Sequence, residues 1–245
     1  MGNTGAKWRA GQLAFYDKTT HETVEPMTPI YFVDDFLGTA VNGDVWFDLD
    51  VAGGITTAPA VSVFECALAA NNENQAAGVY GIDDKAYNIG KGLIFEARLA
   101  VTEAPVSTGE IGFGVMNDTY ALGSMRFLLA DEIAKYAFFG FYTTVGAGLI
   151  PVIRTDDGTH DSGIISSGIA ALTLAEYHVY RIDFTSLESV EFYIDGARVA
   201  STTTFVMHTA ASLAVQPWIC AWKHAGDAGR AAFKLDYVKI WQATR

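Results

Sequence analysis

Cations are scarce in this chain: 16 Lys and Arg stand against 28 Asp and Glu over 245 residues, a formal charge of −12. A phosphate backbone is neutralised by lysine and arginine, so this balance argues against nucleic acid as a partner. Cysteine is scarcer still, with Cys66 and Cys220 alone. Each lies in an apolar run and neither has metal-ligand spacing, so both are expected as buried thiols rather than as a disulfide or a metal clamp. Long apolar runs are missing too. The stretch Tyr136 to Phe139 is closed by Lys135 and Gly140, far short of a bilayer span, and no membrane partner is expected. No apolar segment follows Lys7 and Arg9, and Ala6 stands where a myristoylation signal needs Ser or Thr, so the expectation is a chain without a secretory signal or lipid anchor.

What the chain has in quantity is apolar residues, 50% of the total, 13% being aromatic. That suffices for a large core, and one domain of this length is common among β-sandwiches. Period-two alternation recurs along it. Leu93, Phe95, Ala97, Leu99 and Val101 share one parity against Glu96 and Arg98, and Val190, Phe192 and Ile194 oppose Glu191, Tyr193 and Asp195. Phe233, Leu235, Tyr237 and Trp241 share a third parity, interrupted by Lys239, with Lys234, Asp236 and Val238 opposite. Such segments are strands with one face on a core. Between them lie turn signals: Asn42-Gly43-Asp44, Gly53-Gly54, Asp83-Asp84, Asp156-Asp157-Gly158, Asp195-Gly196 and Gly226-Asp227. Many short strands with this punctuation predict an all-β, two-sheet antiparallel jelly-roll sandwich rather than alternating βα units.

Residues 1–30 differ in composition. Pro26 and Pro29 bracket Met27, threonines recur at 19, 20, 23 and 28, and Lys7 and Arg9 flank Trp8. This reads as an extended N-terminal arm preceding a sandwich of residues 31–245. Trp8 between two cations is the expected anchor on a partner, since aromatic residues dominate interface energies.

The segment Tyr177 to Phe184, followed by Val190 to Gly196, resembles the paired strands of concanavalin A-like lectin/glucanase domains. Leu213 to Ile219 with Gln216-Pro217-Trp218, then Leu235 to Gln242, are similar to that superfamily's later and closing strands, and Asp34 to Gly38 with Trp46 to its opening one. Within that superfamily the chain resembles domains of virion structural proteins from tailed bacteriophages. The resemblance implies a non-enzymatic virion protein, a capsid decoration (cement) or minor head or tail component. Its implied partners are the major capsid protein or its own copies, and its implied location is the virion, after synthesis in the host cytoplasm. The alternative it implies is a lectin-like module that binds glycans, with a diverged glycoside hydrolase third.

Retaining glucanases of this fold carry Glu-x-Asp-x-x-Glu along one strand, which puts the carboxylates on one face of the cleft. Here Glu110-Ile111-Gly112-Phe113-Gly114-Val115 keeps only Glu110, and Glu132-Ile133-Ala134-Lys135-Tyr136-Ala137 keeps only Glu132. Both are expected as solvated strand-end charges. No Gly-x-Ser-x-Gly elbow occurs, and the histidines at 21, 160, 178, 208 and 224 form no pair at i, i+2 or i, i+4. No cofactor is expected. Calcium could use Asp83-Asp84 or Asp156-Asp157-Gly158, but turns favour the same residues and the EF-hand spacing is absent. For a sugar the candidates are Trp46, Trp218, Trp222 and Tyr120. Trp222 and Tyr120 lead, Trp222 being expected at a partly exposed position near the Gly226-Asp227 turn.

Overall fold

The computed structural model describes residues 30–243, except 39, 53–54, 58–62, 72, 120–132, 134, 144–148, 209–212 and 227, and the backbone alone of 4–9, 12–17, 23–24 and 55–57. Two eight-stranded antiparallel sheets make up the body. The first runs Ala197–Val199, Glu191–Ile194, His178–Asp183, Leu93–Val106, Arg230–Gln242, Phe64–Ala67, Ile55–Thr57, with Ile30–Asp34 also pairing with Arg230–Gln242. The second runs Ile165–Ser166, Val152–Asp156, Tyr136–Tyr142, Glu110–Met116, Ala214–Lys223, Gln75–Tyr80, Phe47–Val51, with Tyr87–Asn88 also pairing with Ala214–Lys223. Among the described residues the helical content is one 3-10 turn, Ile89–Lys91, and no helix is long and apolar enough to cross a membrane.

Alternation explains the packing. Phe95, Leu99, Phe113, Phe139, Tyr180, Phe192, Ile219, Leu235 and Ile240 fill the space between the sheets, each at most 1% exposed. Phe192 meets Phe139 and Phe205 edge to face, with ring centroids at 5.2 and 4.9 Å, and Phe113 meets Tyr180 at 4.8 Å. Edge-to-face pairs suit the ring quadrupoles and add to the burial energy. The expected register of the 190–196 hairpin holds: Val190, Phe192 and Ile194 are buried while Glu191 and Tyr193 lie on the outer face. Its turn has Asp195 at φ 50° and Gly196 at φ 77°, the two positive values of a type I′ hairpin. Cys66 and Cys220 are buried free thiols, as expected.

The last strand departs from the simple parity. Leu99 pairs with Leu235 and Arg98 with Tyr237, so Asp236 is an extra residue in the ladder. This bulge reverses the faces beyond it. Phe233 and Leu235 point into the core as expected, but Val238 and Ile240 follow them there, and Tyr237 and Trp241 turn outward. On that outer face Asp236 pairs with Arg98 and Tyr237 donates to Glu96 at 2.9 Å.

The arm carries strands of its own. Thr4–Arg9 pairs with Gln12–Asp17, which pairs with Thr23–Val24, as a third sheet with no ladder to the other two among the described residues.

Candidate functional site

On the second sheet, residues of alternate parity to the inter-sheet core form a separate apolar layer. It contains Leu49, Ala76, Tyr80, Met116, Tyr136, Phe138, Trp218, Cys220 and Trp222. Gly140, Gly112 and Gly78 lie in register across this face on either side of Cys220. A methyl group on Gly78 would sit 2.2 Å from the Ile219 carbonyl oxygen, so that row tolerates no side chain there.

Glu110 belongs to the same face, in register between Tyr142 and Trp222. It is 1% exposed. The expectation of a solvated strand-end charge is therefore corrected: the strand places this carboxylate among aromatic rings. Along its strand Gly112 offers no side chain and Val115 turns into the core. Glu132 lies outside the described residues.

Trp222 is 3% exposed, its ring edge-on to His224 at 4.7 Å. The expected partial exposure does not occur, because Trp222 still belongs to the strand Ala214–Lys223 and packs in the apolar layer instead of joining the turn beyond. Trp218 packs on Tyr80 at 5.6 Å. Trp46 is buried, its Nε1 donating to Asp34 Oδ2 at 2.8 Å. Tyr120 lies outside the described residues, as do the side chains of Lys7, Trp8 and Arg9.

Among the described residues two exposed aromatics, Tyr31 and Phe47, are ones the sequence did not single out. Phe47 is 48% exposed and its ring is tilted against Tyr80, with centroids 5.2 Å apart, at the open end of the row that continues to Trp218. In the adjoining chain segments a cleft of about 160 Å³ is lined by Phe32, Asp44, Val45, Ile82, Asp84 and Tyr87, among others. Burial and the nearby Asp84 charge push the Tyr87 phenol up to about 12, so it stays a donor at neutral pH.

One wall of the cleft is built under strain. Ile82 has φ 39° and Asp83 φ 60°, a left-handed backbone that is costly for a β-branched side chain. Gln216, fully buried, holds it there: its Oε1 accepts from Asp83 N and its Nε2 donates to Asp83 Oδ1, both at 3.0 Å. Asp83 is thus occupied in fixing the loop, while Asp44 and Asp84 are exposed at the cleft.

The Asp156-Asp157-Gly158 turn uses its carboxylates locally. Asp156 Oδ1 accepts from Gly158 N at 2.6 Å, and Asp157 Oδ1 from the amides of Thr159 and His160. Three groups nevertheless converge beside it, which no sequence spacing signalled: Asp157, His160 and His208.

No known sequence family matches the chain, and no curated protein does. Solved structures do. A protein of unknown function from Shewanella oneidensis MR-1 is similar over 93% of this chain and 94% of its own, at TM-score 0.61 and 11% identity. The carbohydrate recognition domain of Emp47p matches over 86% and 94%, at TM-score 0.58 and 11% identity. A β-1,3-glucanase from Mycobacterium marinum matches over 86% and 97%, at TM-score 0.54 and 12% identity. The body thus has the concanavalin-like jelly-roll fold of lectins and glucanases. The similarity to a glucanase overturns the expectation of a non-enzyme, which had rested on an incomplete motif: the same sandwich carries an enzyme there, and Glu110 is buried on a sheet face rather than solvated.

Proposed function

We propose that this protein is a glycan-recognising sandwich whose contact surface is the cleft of Asp44, Asp84 and Tyr87 with the exposed ring of Phe47. The observation that carries the reading is a cleft in which two exposed carboxylates and a phenol meet beside a strained, hydrogen-bonded loop, with the exposed Phe47 following Asp44 closely in the chain. Sugar rings present apolar C–H faces that stack on aromatic rings and hydroxyls that donate to carboxylates. A cleft of about 160 Å³ is smaller than the pocket of a drug-sized ligand, which suits the edge of one sugar unit of a longer glycan. Binding to a panel of soluble oligosaccharides, followed by calorimetry and by product release, tests it. Asp84→Asn should weaken binding about tenfold or more, the loss expected for a hydrogen bond to a charged group, and Phe47→Ala about threefold to tenfold, the loss of one aromatic contact. Failure of every glycan in the panel, or binding indifferent to both substitutions, would refute it.

The separate sheet of residues 4–24 favours a second, compatible reading: that the arm fastens the sandwich to a virion, as a capsid decoration or minor head or tail component. The partner would be the major capsid protein or further copies of this chain. Register places Trp8 opposite Leu13, with Lys7 opposite Ala14 and Arg9 opposite Gln12. A chain lacking residues 1–29 should stay folded and fail to join particles that the full chain decorates. Unfolding of the truncated chain, or normal decoration by it, would end this reading.

A further inference from the structure

The edge of the second sheet brings a turn against the edge of the first. Asp157 and His160 follow the strand Val152–Asp156, while His208 follows Phe205, which bridges to Val190 of the first sheet's edge. Met207 N donates to Leu187 O at 2.8 Å and so fixes the approach of His208. Ligand atoms of Asp157, His160 and His208 all lie within 4.8 Å of one another. The two imidazoles stack at 5.3 Å with 27° between their planes.

We propose that Asp157, His160 and His208 form a binding site for a divalent zinc-like cation that ties the two sheets together at this edge. Asp157 Oδ2 stands 3.1 Å from His160 Nδ1, close to the separation of about 3.3 Å between neighbouring ligands of a tetrahedral ion with bonds near 2 Å. The Asp157 side chain is fully buried, and its other oxygen is fixed by the amides of Thr159 and His160, at 2.9 and 2.8 Å. One ligand is therefore preorganised. The two rings are 43% and 40% exposed, so a change of side-chain rotamer can close the remaining gap. Two imidazoles and one carboxylate suit zinc, nickel or copper, whereas calcium requires six to eight oxygens. A fourth place is left for water or for Glu188, whose Oε2 lies 3.9 Å from His208 Nδ1. In the absence of metal the Asp157–His160 contact serves as an ordinary hydrogen bond.

The test uses the untagged full chain, stripped with a chelator and titrated with zinc chloride against a chromophoric competitor. One equivalent should bind per chain and raise the thermal midpoint. His160→Ala and His208→Ala should each weaken binding by about tenfold or more, while His224→Ala leaves it unchanged. Both rings are exposed, so each variant should still fold; His160→Ala also removes a partner of the buried Asp157 carboxylate, so the zinc-induced rise of each variant is read against that variant's own metal-free midpoint. Absence of saturable binding by the parent, or equal binding by the parent and both variants, would overturn the site. Hydrogen exchange offers a second readout: zinc should slow amides of 152–161 and of 205–208 together, and slowing of only one segment would overturn the cross-sheet tie.

Discussion

Replacing Phe192 by alanine probes the join between the two sheets. Phe192 is 0% exposed and lies between the rings of Phe139, on the opposite sheet, and Phe205, on a segment bridged to Val190. Both partners are themselves buried, so neither can swing far to fill the void, and the cost falls within the usual range for a buried Phe→Ala, about 3–5 kcal/mol. For a domain of this size that corresponds to a fall in melting midpoint of roughly 6–20 °C. Tyr193 is the internal control. One residue along the same strand, it faces outward, bonded to Glu191 and beside the Arg181 guanidinium at 5.4 Å, and Tyr193→Ala should cost at most about 1 kcal/mol, as for a solvated cross-strand pair. Urea unfolding followed by tryptophan fluorescence gives both numbers, provided the slopes agree. Equal losses for the two variants, or a loss under about 1 kcal/mol for Phe192→Ala, would show that the register argument fails.

Burial pushes both the Cys66 and Cys220 thiols well above their ordinary range, so a thiol reagent should label neither in the folded protein and both in denaturant; rapid native labelling would contradict the burial. Acid should weaken the fold through Asp161, whose carboxyl is held low by the paired hydrogen bonds from Arg154, and through Asp183, where bonds from Thr185 and Arg181 outweigh the effect of burial. Because both folded values are depressed, their stabilisation is complete above about pH 4 and is lost as pH falls through the folded values. Asp161→Asn should be less stable at neutral pH and lose less on acidification, and an unchanged acid profile would refute that assignment. Deleting Lys239 should cripple folding, since it turns Ile240 outward and Trp241 toward the core, whereas deleting Asp236 removes only the bulge and leaves Leu235, Val238 and Ile240 inward in regular alternation; equal losses of stability for the two deletions would refute the bulge assignment.

That bulge marks the limit of what alternation alone reveals. The hairpin of 191–194 with 197–199 is legible because its turn chemistry, Asp195-Gly196, fixes the register, and the two faces of 190–194 differ sharply in polarity. The strand Arg230–Gln242 carries apolar residues at both parities, at 235 and 237 and again at 238 and 240. Lys239 broke the simple pattern and was the visible trace of the reversal. Locating the bulge needs the partner strand, because Arg98 and Leu99 decide which residue of the last strand is left over.

The candidate sites were less legible for a related reason. Strand periodicity assigns a face to Trp218 and Trp222, but it does not say whether that face is open, and here both are buried while Phe47 at the end of the row is not. Asp44, Asp84 and Tyr87 share no spacing that a motif could capture. They meet because Phe47–Val51 pairs with Gln75–Tyr80, and because Tyr87–Asn88 pairs with Ala214–Lys223. His160 and His208 meet for the same kind of reason, one on an edge of each sheet. In a sandwich the strands fix the faces and the edges bring distant loops together. Chemistry that depends on a face can therefore be anticipated from parity, whereas chemistry assembled at an edge can be read only once the pairing of the strands is known.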